Sequence, residues 1–168
     1  RPRLRAAAAF TCAVVAGIVL ALALPALSWW PLAFLMPGFL LEAVGLSQGW
    51  KSAAAFGFVG GLVHWTITVH WVVPVMADYG GLPLILAIVC LLLMAAALAV
   101  PWAVTATVTF AVPLQWRIVM LPAAWTALEG ARQVLPYRFP WNPVAAGLVD
   151  DWWALGSLPV WGSSGLGW

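Results

Sequence analysis

Charge is what this sequence has least of. Seven Lys and Arg and five Asp and Glu are spread over 168 residues, 7% of the chain, against 65% apolar residues. A soluble domain of this length leaves much of its surface in water, and too few polar side chains exist here to cover it. The mean hydropathy of +1.02 agrees, and the expected solvent is a bilayer. The net charge of +2 is too small to attract nucleic acid, so no nucleic-acid partner is expected. Cysteine is scarce too. Cys12 and Cys90 fall inside apolar runs, where free Cys behaves as a small hydrophobe. They supply no disulfide framework, and without a basic neighbour in sequence neither is a good nucleophile. Only two His are present, neither with an acidic residue close in sequence. No metal cluster, Ser-His-Asp set, Cys-His pair or phosphate loop can be assembled. The expectation is therefore no metal, no cofactor and no catalytic residue within this chain.

Tryptophan, by contrast, occurs thirteen times, and it favours the headgroup boundary of a membrane. The apolar runs predict an all-α fold: a polytopic transmembrane helix bundle of about five complete spans plus the start of a sixth. Residues 1–168 read as a single membrane domain. Arg1, Arg3 and Arg5 precede the first run, Ala6 to Leu24. That run is as long as a spanning helix needs and no clean small-x-small cleavage site follows, so it reads as a retained span rather than a signal peptide. Trp29 and Trp30 fit an interfacial anchor. Pro31 suits the first turn of a second helix reaching about Leu46, with Glu42 snorkelling near Lys51.

The third span is expected over Ser52 to Val73. Its Gly57 and Gly61 form a small-xxx-small pair that lets helix backbones approach. His64 and His70, six apart, would diverge on a helix, which argues against a shared metal site and for interhelical or interfacial roles. A loop from Pro74 to Pro83 carries Gly80-Gly81 before Pro83. The fourth span runs from Leu84 to about Val112 with a kink expected at Pro101. After a turn from Pro113 to Arg117, the fifth spans Ile118 to about Leu135. Pro136 to Trp153 reads as non-helical, and a sixth span opens near Leu155. The first residue is Arg and the last residues resemble the opening of another span, so the chain reads as part of a longer protein, truncated at its C-terminus.

Alternating sides from a cytoplasmic N-terminus puts Arg1, Arg3, Arg5, Lys51 and Arg117 on the cytoplasmic face. Asp78, Asp150, Asp151 and Arg138 fall on the other. Basic residues set orientation, so the charge distribution supports this direction.

The segment most in need of explanation is Trp125 to Trp141. Glu129 and Arg132 lie three apart and share a helix face with Trp125. Mutual pairing lowers the cost of holding both in apolar surroundings. The pair serves either helix packing or the anchoring of an amphiphile headgroup from the outer leaflet, a task that suits Arg on phosphate. Charge and spacing alone leave both readings open. Phe139-Pro140-Trp141 is a rigid aromatic turn at the boundary.

The order Trp125-x3-Glu129-x2-Arg132-x6-Phe139-Pro140-Trp141, with Trp71-x7-Tyr79-Gly80-Gly81-x-Pro83 before it, resembles the membrane part of bacterial apolipoprotein N-acyltransferase. The resemblance covers nearly the whole chain. It implies a multi-pass protein of the bacterial inner membrane whose periplasmic nitrilase-like domain supplies a Glu-Lys-Cys triad. In such enzymes the Cys takes an acyl chain from a phospholipid as a thioester. It then passes the chain to the α-amine of a diacylglyceryl-cysteine on an apolipoprotein. The triad and its domain are absent from this sequence. The resemblance implies that Trp71, Tyr79, Glu129, Arg132, Phe139 and Trp141 shape a lipid cavity. Implied partners are a phospholipid donor, a diacylglyceryl apolipoprotein acceptor, membrane lipid and the missing nitrilase-like domain of the same chain. The alternatives are a fragment of a polytopic transporter, with Glu129 and Arg132 lining its path, and a purely structural membrane scaffold.

Overall fold

A computed structural model describes residues 2–25, 27–134, 141, 143–149 and 152–166. Every regular element among them is helical: α1 (Pro2–Ala23), α2 (Leu35–Leu46), α3 (Trp50–Thr68), the single turn α4 (Val72–Pro74), α5 (Leu84–Ala111), α6 (Arg117–Val134) and α7 (Trp152–Leu166). Short 3₁₀ turns lead into α2 (Trp30–Phe34) and α6 (Leu114–Trp116), and a third occupies Val144–Leu148.

Two helices are long and apolar enough to cross a membrane, α1 with 22 residues and α5 with 28; a third crossing arises if α3 and the bent segment after it act as one. The segment Trp30–Leu46 is apolar but shorter. Helix α6 is interrupted by Arg117, Glu129 and Arg132, which separates it from the strongly apolar spans.

The bundle is organised around α3, which lies between α1 and α5 and shares its largest interface with α5. Small residues make this possible. A Cβ built on Gly57 would lie 2.6 Å from the Trp102 carbonyl oxygen, and one on Gly61 2.7 Å from the Trp102 ring. On the opposite side, a Cβ on Gly60 would lie 2.9 Å from the Ala13 carbonyl oxygen, and one on Gly17 would run into the Gly60 carbonyl. The expected Gly57–Gly61 contact is therefore present, and Gly17 and Gly60 extend it to α1. Helix α5 answers with Ala95, Ala99 and Ala106, all fully buried. Its other face carries Ile85, Leu92, Leu93 and Val100, all exposed, as suits a helix with hydrocarbon on one side and protein on the other.

Helix termini are closed by side chains. The Ser52 hydroxyl accepts from the backbone N–H groups of Gln48 (3.0 Å) and Gly49 (3.1 Å) at the start of α3. The Arg117 guanidinium donates to the Phe110 (3.0 Å) and Val112 (3.2 Å) carbonyls and lies over the Phe110 ring. A cation there satisfies carbonyls that the last turn of α5 leaves open. Lys51 lies over the Trp50 ring, 5.5 Å from its centroid, and Glu42 is exposed.

Several expected boundaries differ. The third span does not continue to Val73. Helix α3 stops at Thr68, the chain bends by 59°, and helical structure resumes at Val72. The Val72 and Val73 N–H groups bond only three residues back, to Val69 and His70, at 3.0 Å each. Pro74 has no N–H to continue the α3 ladder but sits comfortably in a new first turn. The expected loop from Pro74 is helical as far as Tyr79, where a single π turn (Val75–Tyr79) closes with Gly80 N–H donating to the Val75 carbonyl at 3.1 Å. Gly81 then takes φ +66°, a conformation that suits glycine. The segment Pro136 to Trp153 is not wholly non-helical, since it contains the Val144–Leu148 turn and α7 already begins at Trp152.

Substituting Gly61 by Leu should overpack the α3–α5 seam, costing about 1–3 kcal/mol and lowering the thermal midpoint in detergent. Gly38→Ala, where an added Cβ meets nothing within 4 Å, should leave that midpoint unchanged or slightly raised.

Candidate functional site

Glu129 and Arg132 project from α6 into the bundle and are more than nine-tenths buried. Arg132 Nη2 lies 3.7 Å from Glu129 Oε1, an ion-pair distance longer than a charge-assisted hydrogen bond. The guanidinium also lies over the Trp65 ring of α3, 5.0 Å from its centroid. The shorter contact of the carboxylate is to backbone: the Val144 N–H donates to Glu129 Oε1 at 2.9 Å. Glu129 thus ties the start of the 3₁₀ turn, fifteen residues downstream, to the middle of the bundle.

Aromatic rings enclose the pair. Trp125, one helical turn before Glu129, meets Trp102 of α5 edge-on at 4.8 Å. Trp102 in turn lies 5.4 Å from the His64 ring, and His64 meets Trp65 edge-on at 5.0 Å. Such contacts contribute about 0.5–1.5 kcal/mol each beyond area burial. The space they leave is small: a cavity of about 30 Å³ lined by His64, Trp65, Trp102, Trp125, Glu129 and Arg132 among others. Ligand pockets run to about 300–1,000 Å³, so this cavity has room for water but not for a lipid headgroup. The geometry therefore favours a packing and tethering role for the pair.

A second, larger space lies elsewhere. Trp71, at the bend after α3, stacks against Trp141 with ring centroids 5.6 Å apart and planes at 43°. The two rings border an open cleft of about 560 Å³ whose body is apolar, from Leu22, Leu24 and Leu27 at the end of α1 and Ile67 at the end of α3. Thr68 and His70 add polar groups. His70 Nδ1 is 2.7 Å from the Ile67 carbonyl oxygen, which holds its ring in place.

Of the residues singled out from sequence, Glu129, Arg132 and Trp125 thus share one cavity, and Trp71 and Trp141 share the cleft. Tyr79 joins neither; it is 88% exposed at the end of the π turn. Phe139 lies outside the described residues. Sequence reasoning missed the Val144 amide, because a backbone donor leaves no mark in residue type. It also missed Trp102, which is recognisable only once α3 and α5 are packed; of the two roles open to His64, interhelical or interfacial, burial at 2% exposure fits the first.

Long apolar helices, a buried acid–base pair and a separate apolar cleft bordered by Trp are the features of a helical membrane protein. Comparison with known proteins identifies which kind. Residues 16–168 match the family model of the apolipoprotein N-acyltransferase N-terminal domain, and the chain belongs to that family. It is 32% identical over 137 residues to the apolipoprotein N-acyltransferase of Geobacter metallireducens, an alignment covering 79% of this chain and 26% of that relative. The chain thus corresponds to about a quarter of the relative's length.

Removing the Glu129 carboxylate should loosen the tether. Glu129→Ala leaves the Val144 amide without its acceptor and removes the carboxylate facing Arg132; breaking a buried pair this way costs about 3–5 kcal/mol. Glu129→Gln keeps an acceptor oxygen and should lose less. Thermal unfolding, with hydrogen exchange at the Val144 amide, checks the order wild type, Gln, Ala.

Proposed function

We propose that this chain is the membrane module of an apolipoprotein N-acyltransferase, acting in lipoprotein maturation at the bacterial inner membrane. In the intact enzyme an acyl chain passes from a phospholipid to a cysteine thiol of a periplasmic nitrilase-like domain, releasing a lysophospholipid. It then passes to the amine of the acceptor's diacylglyceryl-cysteine. Cys12 and Cys90 have no part in this, and the module by itself is inactive. Its contribution is proximity: holding a lipid chain at a fixed place beneath the reactive thiol replaces a bimolecular encounter with an intramolecular one.

The observation that carries this reading is the Trp71–Trp141 stack on a cleft of about 560 Å³. Its volume falls within the usual ligand range, unlike that around Glu129. Its apolar walls suit an acyl chain, and Trp at the rim suits the headgroup boundary. Glu129 acts at one remove. By holding Val144 it fixes the backbone three residues after Trp141, and Arg132 offsets the charge this requires. Tyr79 belongs to the same outward face, where it contacts substrate or the catalytic domain; for Phe139, outside the described residues, the lipid role is that implied by the family resemblance. In this reading α2 and α6 also cross the bilayer, giving five spans with α7 opening a sixth and the N-terminus in the cytoplasm. A transporter with Glu129 and Arg132 along its path is not favoured by a cavity of about 30 Å³.

In the intact gene product, Trp141→Ala and Trp71→Ala should each lower acyl-thioester formation at least tenfold with abundance unchanged, and Trp141→Phe should recover most of it. Normal thioester levels in both Ala variants would remove the cleft from the reaction. Thioester is read by mass spectrometry and abundance by immunoblot.

A further inference from the structure

Glu129 and Arg132 share the small cavity with His64. His64 is only 2% exposed, and its Nδ1 makes no hydrogen bond within the bundle. A buried nitrogen of this kind forfeits its hydration and gains nothing in return. Trp125 presents the same problem: its buried indole N–H closes no hydrogen bond, although Glu129 lines the same cavity. Both side chains line the space of about 30 Å³ that Glu129 and Arg132 also line. A site needs roughly 10–15 Å³ of such volume and two to four polar partners to hold a water. The cavity meets both conditions. Anything much larger than one or two waters does not fit, and the described residues offer no group of three His, Cys, Asp or Glu to hold a metal ion.

We propose that this cavity is a binding site for an ordered water molecule, held between His64 Nδ1 on α3 and the Glu129 carboxylate on α6, with the Trp125 N–H as a further donor. Water both donates and accepts, so it satisfies Nδ1 in either tautomer of the ring. Glu129 Oε1 already takes the Val144 N–H and faces Arg132, which makes Oε2 the acceptor for the water. The resulting chain runs from His64 through water and Glu129 to Val144. It connects the middle of α3 to the backbone that carries Trp141. His64 is then a positioning residue for the cleft rim, acting through a solvent molecule rather than by direct contact. The water site rests on α3 and α6, its coupling to the rim on the Glu129–Val144 hydrogen bond, and both stand whether or not the cleft receives lipid.

Two experiments test it. An experimental structure of the intact gene product, at a resolution where ordered waters are visible, should show a solvent peak within hydrogen-bonding distance of both His64 Nδ1 and Glu129. A peak that does not touch His64, or a cavity closed by direct contact between His64 and Glu129, overturns the proposal. In the second, His64→Phe should speed hydrogen exchange at the Val144 amide several-fold, while His64→Asn, which can still bond the water, should leave it near the wild-type rate. Unchanged exchange in folded His64→Phe overturns the coupling, as does equal acceleration in both variants.

Discussion

A carboxylate buried beside tryptophan rings in an apolar bundle is costly unless polar groups are brought to it. Glu129 meets that demand by accepting the Val144 N–H and facing the Arg132 guanidinium. The solution has a structural consequence. The Val144 backbone is fixed at one point to the core, three residues after Trp141, whose ring lies beside Trp71. Arg132 is constrained in turn, lying against the Trp65 ring, so that acid, base and aromatic surface stabilise one another.

That arrangement needs a rigid frame, which comes from the close approach of α1, α3 and α5. In hydrocarbon there is little hydrophobic force to press helices together, and cohesion depends on backbone proximity and dispersion. Gly17, Gly57, Gly60 and Gly61 allow it by having no side chain where the neighbouring backbone or Trp102 lies. Trp102 links the two parts of the design. The residue lies against Gly60 and Gly61, and its ring also meets His64 and Trp125. The glycine-packed seam and the small cavity therefore share one wall residue.

Volume separates two roles that charge alone could not. From residue types, Arg132 was equally suited to a lipid phosphate and to a buried ion pair. The space around it is about 30 Å³ and the cleft beside Trp71 is about 560 Å³, so ligand-sized room lies at the second and not at the first. The bend after Thr68 matters here as well. Had α3 run on straight to Val73, Trp71 would have continued along its face. The break at Val69 to Trp71 instead brings the indole to the cleft.

Much of this molecule follows from composition and local pattern. Too few charges to cover a soluble surface, apolar runs of spanning length and thirteen Trp require a helical membrane bundle, because backbone groups in lipid must bond within their own segment. The Gly57–Gly61 spacing and the shared face of Trp125, Glu129 and Arg132 depend only on helical periodicity, and were legible for that reason. What the chain order does not encode locally is which helix meets which. The Val144 amide reaching Glu129, Trp102 closing on His64, and Trp71 finding Trp141 are contacts between residues far apart in sequence, settled only when three helices close on a stripe of small residues. A backbone donor has no identity in the sequence and an indole ring suits many neighbours, so tertiary packing alone decided their partners.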